Sequence, residues 1–288
     1  MISPQRSSFG RNLQGWGLLF PAVIWTLVFF VLPLAIMLLY SFWQRVGNKT
    51  VQTFTLENYA SFFTKASLTQ ALWNSLEVTL LVTVISILLA YPMAYILAYV
   101  VPQRWQRLAL LLAILPFWTS YVVRSYSWLL VLSENGVVSK FLLNIGLLSE
   151  PMSFVNSRTG TVIGFVHFFV MLLALTIYAN LVQISPSYRK AAADLGASSW
   201  QTFWNVTFPL SVPGVMVGAF LTFVLCIGDY ITPQILGGNK ELLLPQAIML
   251  QVGRSTNFPM ASALSMVLML VITLAFVAFS KWLRLERV

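Results

Sequence analysis

Hydrophobic and polar positions fall along this chain in long blocks. Six mainly apolar stretches, at about residues 16–40, 71–100, 108–132, 160–182, 212–232 and 258–282, are divided by polar segments. A helix needs roughly 20 mainly apolar residues to cross a bilayer. Each stretch therefore predicts one membrane-spanning helix, and the second is long enough to tilt. The first is about twice as long as the apolar part of a signal peptide, and no small-x-small cleavage site follows it, so it reads as a retained helix. Pro92 and Pro116 fall inside the second and third helices; each removes a backbone donor and predicts a bend. Gly160/Gly164 and Gly214/Gly218 form small-xxx-small pairs, which predict close packing between helices. There is no low-complexity tract and no internal repeat. The pattern gives an all-α integral membrane protein, with a short N-terminal segment over residues 1–15 and one transmembrane domain over 16–288.

Composition agrees. Hydrophobic residues make up 58% of the chain and charged ones 9%, against about 25% charged in an ordinary soluble domain. Too little polar material exists to cover a water-exposed surface, so lipid is the solvent for much of it. The net charge of +9 would suggest nucleic acid as a partner if the cations formed a stripe. They sit instead at the ends of apolar runs, as the positive-inside rule requires. With the N-terminus inside, the inner segments hold Arg6, Arg11, Arg104, Arg107, Arg189, Lys190, Lys281, Arg284 and Arg287. The outer loops, which are much longer, hold Arg45, Lys49, Lys65, Lys140, Arg158, Lys240 and Arg254. Both termini are thus expected in the cytoplasm. Trp16, Tyr40, Trp43, Trp73, Trp105, Trp128 and Trp282 flank the apolar stretches as interface anchors.

The chemistry is sparse. One cysteine (Cys226) and one histidine (His167) exclude a disulfide framework and leave no metal cluster. No G-x-x-x-x-G-K-[ST] phosphate loop occurs, and no nucleophile–base pair is visible. The chain is expected to be non-catalytic, with no cofactor of its own. If transport is active, its energy comes from another subunit.

The segment over residues 184–210 carries the most information. Ser185 can cap a helix and Pro186 suits its first position. An Ala-rich stretch follows to Leu195, and Gly196 can take the left-handed conformation that ends a helix. Ser198 or Ser199 can cap a second short helix over residues 200–207, which Pro209 closes. The result is an elbow of two short helices about a glycine corner, over about 185–208. It reads either as a helical loop on the membrane surface or as a docking element for a cytoplasmic protein. In the second reading, small Ala faces fit a groove and Trp200, Phe203 and Trp204 act as apolar anchors.

Lys190-Ala191-Ala192-Ala193-Asp194-Leu195-Gly196, followed by Phe208-Pro209, resembles the Glu-Ala-Ala loop of ATP-binding cassette (ABC) importer permeases. Lys190 stands where that family has Glu, so Asp194 or the partner would have to supply the acidic contact. Phe54-Thr55-Leu56-Glu57-Asn58-Tyr59 is similar to the family's outer loop after helix one. Residues 115–128, Leu-Pro-Phe-Trp-Thr-Ser-Tyr-Val-Val-Arg-Ser-Tyr-Ser-Trp, and Gly228-Asp229-Tyr230-Ile231-Thr232-Pro233 with Leu236-Gly237-Gly238 resemble the spermidine/putrescine permease branch. The resemblance runs from about Gly17 onward. It implies a type I importer permease fold in the bacterial inner membrane. It also implies ATPase coupling through Lys190, Ala191, Ala192, Asp194, Leu195, Gly196, Ser199 and Pro209. The implied partners are a second permease subunit, two ATPase subunits carrying ATP and Mg, and an extracytoplasmic solute-binding protein. The implied cargo is a polyamine or similar small cation; an amino-acid derivative, an opine or an anion remains open, as does an ion-coupled secondary transporter.

Four ionisable side chains fall inside predicted helices: Glu77, Arg124, His167 and Asp229. An ionised group at a helix centre costs about 2.5–3.5 kcal/mol on insertion scales, so these should face protein or a water-filled path. On the predicted orientation all four lie in the outer halves of their helices. Asp229 has two roles open, attracting an ammonium group of the cargo or pairing with Arg124. Glu77, near a helix end, reads as a solvated interfacial carboxylate or a path residue. Arg124 is structural if the cargo is cationic and a cargo ligand if it is anionic. His167 reads as a hydrogen-bonded packing residue. Trp118, Tyr121, Tyr126, Trp128 and Tyr230 offer either aromatic faces to alkyl-ammonium groups or interface anchors. The candidate path comprises Glu77, Trp118, Tyr121, Arg124, Tyr126, Asp229 and Tyr230.

Overall fold

A computed structural model describes residues 19–47, 49–238 and 241–283, with side chains to residue 280. Trp16, Arg6, Arg11, Lys240, Arg284 and Arg287 lie outside the described residues, as do the side chains of Lys281 and Trp282.

Five helices are long and apolar enough to cross a bilayer: α1 (Leu19–Ser41), α3 (Ala66–Val100), α7 (Arg158–Leu181), α9 (Ser199–Ile227) and α11 (Phe258–Leu283). A sixth crossing is supplied if the bent pair Gln103–Trp118 and Tyr121–Asn144, which turns by 88°, counts as one span; its arms begin with the helices α4 (Gln103–Trp118) and α5 (Tyr121–Leu132). The bend expected at Pro116 in the third helix is thus present, sharpened to a break of two residues. Pro116 lies in a tight terminal turn over Leu115–Trp118, after which Thr119 and Ser120 are extended. Pro116 lacks the donor that would continue the ladder.

The fifth span also differs from its expectation. It starts at Ser199 and ends at Ile227, not at 212 and 232, and Pro209 does not close a separate short helix. A wide π-type turn over Phe203–Thr207 carries the chain into Pro209 without a break. A proline ring clashes with the carbonyl four residues back, here that of Asn205, and the wide turn moves that carbonyl aside. Helix α1 repeats the device, with a wide turn at Leu27–Val31 ahead of Pro33. Helix α3 begins five residues earlier than expected, and at ~1.5 Å per residue its length of roughly 50 Å exceeds the bilayer core.

The core lies between α3, α7 and α9. At one end Ala90, Tyr91, Ala94, Leu173, Ile177 and Leu181 pack together; toward the other end Val78, Val82, Phe165, Phe169 and Cys226 do so. Gly214 and Gly218 set the spacing between α9 and α7, as expected of a small-residue pair, whereas Gly160 meets the Phe154 carbonyl of a loop. A Cβ on Gly218 would lie 2.4 Å from Thr176 Oγ1, and one on Gly214 2.4 Å from Asn180 Cβ, both on α7. Gly164 packs against Leu236 in the same way. Helix α1 lies against α11 and is mostly exposed until its last residue, Ser41, which is buried.

Short elements gather at the end where α1 finishes. They are a hairpin of β1 (Gln44–Val46) and β2 (Lys49–Val51) pairing Gln44 with Val51, and the helices α2 (Glu57–Thr64), α6 (Val137–Asn144) and α10 (Leu244–Gly253). Asn58, in the segment after helix one, explains part of that segment's recognisable pattern. Its amide donates to the carbonyls of Ser41 and Trp43 at 2.9 and 2.8 Å, tying off the end of α1. Helix α8 (Pro186–Asp194) sits at the opposite end, between α7 and α9.

Candidate functional site

The elbow of α8 and the start of α9 is built from local hydrogen bonds. Ser185 Oγ accepts from the Ser187 N–H, and Pro186 occupies the first turn. At the corner the Ala197 N–H donates to Ala192 O at 3.0 Å and the Gly196 N–H to Ala193 O at 2.9 Å. That is a Schellman closure, and Gly196 carries the left-handed φ of +83° that it requires. Ser198 caps α9, with a reciprocal bond from the Ser198 N–H to Gln201 Oε1 at 2.8 Å. Ser199 is therefore the first helical residue and Ser198 the cap.

The tip is bare. Leu195 is 89% exposed, no atom lies within 4 Å of a Cβ placed on Gly196, and Lys190, Ala191, Asp194 and Ser199 are exposed. Ala192 is half-buried and Pro209 is exposed. Of the three aromatic anchors, Trp200 and Trp204 are exposed while Phe203 turns inward onto Tyr91 and Tyr95. Arg189 stacks over Tyr99 at 4.2 Å, and the Tyr99 hydroxyl donates to Leu181 O at 2.9 Å. The elbow is thus clamped to the ends of α3 and α7. A cavity of about 470 Å³ lies in its fold, lined by Tyr95, Arg189, Lys190, Phe203 and Thr207 among others.

The second locus surrounds the α4–α5 break. The Tyr121 hydroxyl donates to Asp229 Oδ2 and also meets Thr232 Oγ1. Asp229 further accepts the Ile231 N–H at 2.8 Å and the Thr232 N–H at 3.4 Å, so it caps the turn that follows α9. Among the described residues no ion pair joins Asp229 to Arg124. Arg124 is only 8% exposed. It donates from Nη2 to Thr119 O at 3.3 Å and lies 4.9 Å from the Phe168 ring centroid and 5.7 Å from that of Tyr121. The Trp128 indole donates to His167 Nδ1 at 3.1 Å, which puts the proton of the neutral imidazole on Nε2.

Of the seven path candidates, Tyr121, Arg124 and Asp229 come together. Glu77 stands apart, paired with Arg158 at 2.6 Å on an exposed surface. Trp118, Tyr126 and Tyr230 are exposed, and no hydrogen bond or ring contact joins them to the cluster. Sequence reading did not single out Phe168 or Phe117, which stack at 5.2 Å beneath the cluster. Phe168 looks like an ordinary lipid-span residue in the linear pattern, and Phe117 is marked only as part of the 115–128 stretch. Among the described residues no group of three or more His, Cys, Asp or Glu could hold a metal ion.

A bundle of membrane-crossing helices with a clamped, exposed helical elbow at one end defines a polytopic permease. The chain belongs to the family of binding-protein-dependent transport system inner membrane components, which it matches over residues 8–284. It is 31% identical over 242 residues to the spermidine/putrescine transport system permease protein PotB of Haemophilus influenzae, covering 84% of each chain. The PotB protein of Escherichia coli is 30% identical over 262 residues, 91% of this chain and 94% of its own. Among solved structures, a bacterial ABC transporter that imports the acidic polysaccharide alginate contains a chain similar at a TM-score of 0.75. The match covers 96% of both chains at 17% identity, which establishes the fold. The protein is an inner-membrane permease subunit of an ABC importer, with the type I importer fold.

Proposed function

We propose that this permease carries polyamines or similar small cationic solutes inward, driven by ATP hydrolysis on separate subunits. One observation carries the reading: the elbow presents Leu195 and Gly196 bare while its base is locked to α3 and α7. A surface exposed at its tip and rigid at its root suits transmission of a push from a docked protein. The chain has no phosphate loop of its own, so that protein supplies the ATP chemistry. Arg104 and Arg107 follow the end of α3 on which Arg189 stacks, and Lys190 adjoins Arg189, which supports a cytoplasmic elbow and cytoplasmic termini.

The assembly in this reading pairs the chain with a second permease and two ATPase subunits carrying ATP and Mg. A solute-binding protein delivers cargo at the opposite end. ATP-driven closure of the ATPase pair moves the elbow and biases the helices between inward and outward access. The polyamine assignment draws on the names of the PotB relatives.

The test is uptake into proteoliposomes holding the complete complex with its binding protein. Labelled putrescine should accumulate only with internal ATP, and unlabelled spermidine should compete. This chain reconstituted alone should carry nothing. ATP-independent uptake by the lone chain would overturn the importer reading. Competition by an anionic solute but not by spermidine would overturn the cargo.

A further inference from the structure

Arg124 is a buried cation without a matching anion. It lies in α5, with 8% of its surface exposed, and both Nε and Nη1 are buried without a hydrogen-bond partner. Its one hydrogen bond, to the Thr119 carbonyl, is long at 3.3 Å. Phe168 and Tyr121 hold the guanidinium by their ring faces, but a ring quadrupole does not neutralise the charge. Asp229, the acidic member of the same cluster, is already engaged by Tyr121, Thr232 and the Ile231 N–H. A buried charge of this kind calls for a counter-charge and hydrogen-bond acceptors.

The space for one is present. Arg124 lines a cavity of about 230 Å³ together with Thr119, Ser127, Trp128 and His167. The α5 surface beside it exposes Val123, Tyr126 and Leu130, and Trp118 projects from the break. Lipid tails offer no acceptor to a guanidinium, and a cationic cargo would be repelled by it. We propose that this face of α5 meets the second permease subunit, whose acidic side chain enters the cavity and pairs with Arg124. The inference rests on the reading that the chain works beside a second permease.

The experiment uses the complete complex in membranes, with the second permease tagged. Arg124→Glu should lower its recovery with this chain by at least about tenfold and abolish uptake, while Arg124→Lys keeps recovery close to wild type. Each intramembrane Asp or Glu of the second permease is then changed singly to Arg in the Arg124→Glu background. One such change should restore both recovery and uptake. Wild-type recovery with Arg124→Glu, or no restoration by any reversed charge, would overturn the pairing. So would intact recovery in Arg124→Gln with loss only of uptake of a carboxylate-bearing solute, which would give the site to cargo. If the unmodified chain recovers no second permease, the paired-permease reading itself falls, and that result is distinct from each of the others.

Discussion

The elbow and the third crossing are both two helical arms about a short break, yet their hydrogen bonds are arranged differently. At the elbow the hydrogen bonds that shape the corner are local: Ser185 to Ser187, Ala197 to Ala192, Ser198 to Gln201. At the α4–α5 break the Thr119 hydroxyl donates to Pro116 O at 2.7 Å, but no side chain caps the start of α5. The start of α5 is held from a distance as well, with Tyr121 bonded to Asp229 and Thr232, more than 100 residues on. A locally closed corner moves as one body. A corner held by a few long-range bonds can exchange them, and that suits a part that must change shape during transport.

The contrast can be broken or sharpened by substitution. The largest effect is expected from Gly196→Val. Its φ of +83° is strained for a β-branched residue by about 1–2 kcal/mol, and the side chain would also stand on the docking tip. Uptake should fall by roughly two orders of magnitude with loss of ATPase recovery, while insertion of the chain, read by immunoblot of membranes, is unchanged. Next is Tyr121→Phe, which removes a bond to a carboxylate worth about 1.5–3 kcal/mol. Uptake should drop about tenfold or more with ATPase recovery intact; equal loss of both would erase the distinction between the two corners. Ser198→Ala removes a cap worth about 1 kcal/mol and should weaken ATPase recovery severalfold. Glu77→Gln breaks an exposed pair with Arg158 worth about 0–1 kcal/mol, and uptake should stay within about twofold of wild type.

What could be read from the linear chain follows the same division. Ser185, Pro186, Gly196 and Ser198 announce the elbow because caps and corners are set by neighbours in sequence. The apolar blocks announce the crossings because lipid selects for length and hydropathy. Pro209 misled, because a proline normally ends a helix, and whether a wide turn absorbs it depends on packing around Phe203 and Phe208. The partner of Asp229 was equally hidden. Charge alone leaves Arg124 and a cargo ammonium group open as partners, but the turn after α9 and the phenol of Tyr121 capture the carboxylate. Phe168 carries no local mark at all; it matters only because α7 sets it beneath Arg124.

The central claim is that the elbow tip is the handle by which an ATPase moves this permease, and a cysteine at the tip tests it most directly. Leu195→Cys, in a chain whose buried Cys226 is replaced by Ala, should cross-link to the ATPase subunit in the assembled complex. The yield should change when ATP is added, and an impermeant thiol reagent applied outside intact cells should leave the site unlabelled. Labelling from outside, or no cross-link to an ATPase in a complex that still imports, would contradict the account.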